Sequence, residues 1–112
     1  MTQTENDVVL EQALITVRAG TEADFEAALG RAADIVREAK GFVSLALHRC
    51  IEQPHVYLLL TEWEHLEDHT VGFRGSEAFT RWRAEIGSYF NGDPVVNHFA
   101  RALPALGATD DT

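Results

Sequence analysis

Apolar residues fall along the chain in two rhythms, one suited to strands and one to helices. The run VVLEQALITV at 8–17 is dense in β-branched and aliphatic residues and predicts a largely buried strand. Ala19-Gly20 breaks it. Thr21-Glu22-Ala23-Asp24 predicts a helix start, with Thr21 as N-cap and Asp24 at the reciprocal capping position. Phe25, Leu29, Ala32 and Val36 then recur at spacings of four, three and four, which is one apolar helical face, and Lys40-Gly41 predicts its end. FVSLALHRCIE (42–52) and HVYLLLTEWE (55–64) read as two strands turned tightly at Gln53-Pro54, an antiparallel hairpin. HLEDHTVGF (65–73) predicts a short helix stopped near Gly72. Ser76 predicts the cap of another, in which Phe79, Trp82, Ile86 and Tyr89 recur at helical spacing. Beyond the breaker Asn91-Gly92-Asp93-Pro94, VVNHFARAL (95–103) predicts the last strand.

The order β-α-β-β-α-α-β fits an α+β, ferredoxin-like antiparallel sheet with helices on one face and a divided second crossover. One domain over 8–103 is expected, with polar segments 1–7 and 104–112 as flexible termini. The hairpin strands are apolar on both faces, with Leu58, Leu59 and Leu60 consecutive. Helices can cover one face. The chain has 112 residues, too few to cover the other, so a homodimer closing a barrel is expected.

Charge narrows the partners. Nine Lys+Arg against 18 Asp+Glu give a net charge of −9, which argues against nucleic acid and against an anionic membrane surface. No apolar stretch approaches a membrane span and no leader is visible at the N-terminus, so a cytoplasmic protein is expected. The single Cys50 excludes an internal disulfide or a multi-thiolate zinc site; it falls within a predicted strand, as a buried inert thiol.

Several residues resemble the antibiotic biosynthesis monooxygenase domain family, small dimeric α+β barrels. They are Gly20, Phe25, Gly41-Phe42, Thr61-Glu62-Trp63-Glu64, Gly72-Phe73-Arg74-Gly75-Ser76, Phe79-x-x-Trp82-Arg83 and His98-Phe99. The family hosts cofactor-free oxygenases of polycyclic phenols and quinols, and also haem-degrading enzymes. That second branch uses an Asn, a Trp and an iron-ligating His at positions which, with Gly20, Trp63 and Phe79 aligned, are Ala13, Phe73 and Arg83. Arg stays protonated and cannot ligate iron, so haem degradation by that route is not expected.

Chemistry-bearing residues are few. His65 and His69 stand at i, i+4, a metal-binding spacing on a helix, but neither a HExxH motif nor a third ligand accompanies them, and no metal site is expected. His48 and His98 lie in predicted strands that the sheet could bring together. Walker and Rossmann loops and a nucleophile elbow are absent. An enzyme here therefore needs a substrate that supplies its own electrons and no cofactor, in agreement with the oxygenases it resembles. His69 or His98 is expected as the base and Arg74 as the anion stabiliser through paired N–H donors. Trp63, His48 and Phe73 are expected to contact a small hydrophobic aromatic ligand, although Phe73 also occupies a helical packing position. The competing expectation is a non-enzymatic dimeric module that binds such a ligand or a pathway partner.

Overall fold

Strand β1 (Val9–Thr16) leads into helix α1 (Glu22–Val36) and the hairpin β2 (Phe42–Arg49) and β3 (Val56–Trp63). A π-helical turn (Asp68–Phe73), helix α2 (Glu77–Ile86), a 3-10 turn (Gly87–Tyr89) and β4 (Val95–Phe99) complete the computed structural model, which describes residues 8–107. The expectation for 1–7 and 108–112 lies outside the described residues; residues 104–107 are exposed and form no regular element. All pairings are antiparallel and the sheet order is β2-β3-β1-β4, the ferredoxin-like arrangement.

Strand alternation sorts the side chains. On β1 and β3, Glu11, Ala13, Ile15, Tyr57, Leu59, Thr61 and Trp63 point toward the helices and are buried. The core closes over them through the apolar face of α1, where Phe25, Ala28 and Ala32 are fully buried, and through Trp82 and Ile86 of α2. Each large apolar side chain buried in this way contributes about 1.5–3 kcal/mol. The other sheet face carries Leu10, Leu14, Leu58, Leu60, Val95 and Phe99, and no element among the described residues covers it.

Local differences from the expected elements have physical causes. Thr21 Oγ1 donates back to the Arg18 carbonyl (2.6 Å) instead of capping α1, and Glu22 takes the Gly20 N–H (2.9 Å), so the expected capping box does not form. Helix α1 ends at Val36, before Lys40. Strand β2 stops at Arg49, leaving Cys50 half-exposed in the hairpin loop and not buried in a strand. Strand β4 stops at Phe99, short of Leu103. Ser76 does cap α2, accepting from the Phe79 N–H at 3.2 Å.

Two glycines are required. Gly41 sits at φ +82°, and a Cβ there would overlap the Asp68 side chain. A Cβ on Gly75 would lie 2.7 Å from the Val71 carbonyl oxygen, so only glycine lets the π-turn close against α2.

Candidate functional site

Glu11, Trp63, His69 and His98 meet because four elements, β1, β3, the π-turn and β4, deliver them to one end of the sheet's inner face. Inward alternation on β1 places Glu11 in line with Ala13 and Ile15. The register sets Glu11 opposite His98 on β4 and Thr61 on β3. The π-turn carries a backbone bond from the Arg74 N–H to the His69 carbonyl (3.0 Å), five residues apart. Its wider winding turns His69 and Phe73 inward together, both buried.

The cluster is tightly linked. Trp63 Nε1–H donates to Glu11 Oε1 at 2.9 Å, and His69 Nε2 lies 3.4 Å from that same oxygen. His69 Nδ1 and His98 Nε2 are 2.8 Å apart. The His69 ring stacks on Trp63, with centroids 5.3 Å apart. Glu11, Trp63 and His69 of the cluster line a cavity of about 210 Å³ whose other walls are mostly apolar, among them Ile15, Leu59, Phe73, Trp82 and Ile86, with Thr61 and Asp93 as further polar lining. Arg74 and Arg83 also line it; Arg83 lies over the Phe90 ring, and Arg74 forms no ion pair among the described residues.

Burial dominates the ionisation of the cluster. It holds His69 down from 6.5 to about 4, helped by the positive charge of Arg74 and by His98. His98 is lowered by the same burial and by Arg74. Burial raises the Glu11 carboxyl, against the opposing pull of the Trp63 N–H and of Arg74. For His69 the unfolded chain binds the proton first as pH falls, so its contribution makes stability rise with pH from about 4 to 6.5. Glu11 acts in the opposite sense above 4.5, since the unfolded chain releases that proton first. Urea-unfolding free energies measured across pH 4 to 6.5 should therefore lose upward slope in His69→Gln. An unchanged slope would mean that His69 is not held neutral.

Of the residues expected at a site, His69, Arg74, Trp63 and Phe73 line the cavity, and His98 stands directly behind His69. His48 does not belong to it. Its strand β2 is the edge opposite β4, and its side chain lies across from Leu58 on the uncovered face. The His65–His69 pair also separates: His65 is exposed and lies 3.4 Å from Asp68, whereas His69 is buried. Glu64, His65 and Asp68 bring potential ligand atoms within 4.8 Å of one another outside the cavity lining, with Glu64 and His65 exposed and Asp68 largely buried. Glu11 was missed, although its alternation with Ala13, Ile15 and Val17 marks it as inward.

A family model described as antibiotic biosynthesis monooxygenase matches residues 8–85. Uncharacterized protein YczJ of Bacillus subtilis (strain 168) is 44% identical over 92 residues, 82% of this chain and 97% of its own length. The chain belongs to the antibiotic biosynthesis monooxygenase family. A Bordetella bronchiseptica crystal structure bearing the same family description is similar at a TM-score of 0.84 and 40% identity, covering 88% of this chain and 100% of that one. SnoaB, a cofactor-independent oxygenase from Streptomyces nogalater, shares the fold at a TM-score of 0.71 and 22% identity, covering 88% and 99%. In this antibiotic biosynthesis monooxygenase family member, Ala13, Phe73 and Arg83 all line the cavity and none can ligate iron. Among the described residues, no helix is long and apolar enough to cross a membrane.

Proposed function

We propose that the chain is a cofactor-independent monooxygenase of a small apolar phenol or quinol, working as a homodimer. The observation that carries this reading is a cavity with mostly apolar walls into which Glu11, His69 and the cation of Arg74 converge, with His98 behind His69 and Thr61, Arg83 and Asp93 as further polar lining. The cluster takes the phenolic proton, and Arg74 holds the phenolate through fixed N–H donors at the cavity's edge. The phenolate then reduces O2 with its own electrons. For a naphthol the balance closes: naphthol plus O2 gives naphthoquinone plus water, one oxygen atom entering the ring and the other leaving as water. SnoaB's description as a cofactor-independent oxygenase supports the absence of flavin from this scheme.

Cavity size selects among phenols. An apolar cavity of about 150 Å³ accepts benzene, so 210 Å³ suits one substituted ring or two fused rings. Oxygen uptake with 1-naphthol or a dihydroxynaphthalene is expected without added flavin, nicotinamide or metal, and is expected to survive a chelator. Uptake equal to the buffer blank across a series of such quinols would favour the ligand-binding module instead.

The uncovered sheet face supports the dimer. Leu14 is 47% exposed, Val95 58% and Phe99 47%, and Leu10, Leu58 and Leu60 lie beside them. A second copy of this face would bury that patch about a two-fold axis.

A further inference from the structure

We propose that Glu11 Oε2 is the atom that accepts the substrate's proton, with the histidines acting as positioning residues. This assignment rests on the oxygenase reading above. Hydrogen-bond direction is the first argument. Trp63 Nε1 can only donate, and it donates to Glu11 Oε1. His69 is neutral, so it offers one N–H and one lone pair. Both of its nitrogens are committed, Nδ1 to His98 and Nε2 toward Glu11 Oε1. With Glu11 ionised, the arrangement that satisfies every group runs one way: His98 Nε2–H donates to His69 Nδ1, His69 Nε2–H points to Glu11 Oε1, and Trp63 Nε1–H joins it there. His69 then keeps no lone pair for substrate.

Glu11 does keep one. Its Oε1 accepts from Trp63 Nε1–H and has His69 Nε2 3.4 Å away, while its Oε2 takes no hydrogen bond from any described residue, and the side chain lines the cavity. The residue is only 8% exposed and its inward neighbours on β1 are apolar. Satisfying the Trp63 N–H alone would need only a neutral amide. A carboxylate at that place carries a desolvation cost that a proton-transfer role explains. The titratable and charged groups around it are His98 on β4, His69 of the π-turn and Arg74 after it, with Arg83 and Asp93 lining the same cavity. Arg74 offsets part of the cost, and burial raises the carboxyl, which brings its proton affinity toward that of a phenol.

The step is a simple exchange. The substrate O–H bond breaks as an O–H bond forms on Oε2. The phenolate's electrons then form a bond between a ring carbon and O2; Glu11 returns its proton to the resulting peroxide, and the O–O bond breaks as that carbon's C–H proton is lost, the distal oxygen leaving with both protons as water.

Glu11→Gln tests this directly, because the amide still accepts from Trp63 and fills the same space. The variant should fold, bind 1-naphthol and lose about 10²- to 10⁴-fold in kcat/KM. The wild-type acidic limb, in which rate rises with pH as the carboxyl ionises, should vanish in Glu11→Gln and persist, displaced, in His69→Gln. Infrared difference spectra on binding 1-naphthol give an independent reading. Wild type should gain a protonated carboxyl band together with naphtholate absorption, and Glu11→Gln should show neither. Wild-type kcat/KM in Glu11→Gln, or a limb lost only in His69→Gln, overturns the assignment. A carboxyl band without any oxygen uptake would instead uphold the role of Glu11 and defeat the oxygenase reading.

Discussion

Replacing Arg74 by Ala is expected to lower kcat/KM for a naphthol by about 10²- to 10³-fold, the scale of loss when a fixed donor to a developing oxyanion is removed. The reasoning is electrostatic. Arg74 lines the cavity, has no carboxylate partner among the described residues, and its field reaches Glu11, His69 and His98. An unpaired guanidinium beside an apolar chamber is suited to an anion that arrives with the reaction. Because the side chain is exposed and carries no packing role, the thermal midpoint should hardly move. Arg74→Lys should recover only part of the loss, since an ammonium keeps the charge without the planar pair of donors. Wild-type turnover in Arg74→Ala would remove Arg74 from the chemistry.

The proposed dimer is expected to give way to a monomer in Leu14→Lys. Leu14 lies on the central strand β1, across from Leu58 on one side and Val95 on the other, in the middle of the uncovered apolar face. Within a single chain it is 47% exposed, so lysine there leaves the core untouched. Inside a two-fold interface each lysine would be buried near its symmetry mate, unpaired, which no apolar contact offsets. Light scattering should give twice the monomer mass for wild type and the monomer mass for the variant, both at micromolar concentration. A wild-type monomer would contradict the dimer, and the barrel with it.

Much of this architecture is legible in the residues because it is local. The 3.6-residue spacing of Phe25, Leu29, Ala32 and Val36 and the alternation along β1 and β3 specify both the elements and the faces they bury. What stayed hidden depends on pairing between distant segments. Nothing in Val95–Phe99 announces that His98 will stand opposite Glu11; that follows from the β1–β4 register, a non-local property. His48 shows the converse error. Leu45 and Leu47 point inward, so alternation alone sends His48 to the uncovered face, and weight given to its imidazole obscured that. The π-turn was also invisible, since 65–73 carries an ordinary helical pattern. Glu11 is legible by parity, but a strand carboxylate among aliphatic residues looks like an interruption of the pattern.

Isotope labelling tests the account most directly. Protein freed of flavin and metal is given 1-naphthol under 18O2, and the quinone and water are collected. The account predicts one 18O atom in each naphthoquinone formed, the other in water, at a rate far above the protein-free control and unchanged by a chelator. Quinone whose inserted oxygen comes from solvent, or labelled quinone formed no faster than in buffer, would contradict it.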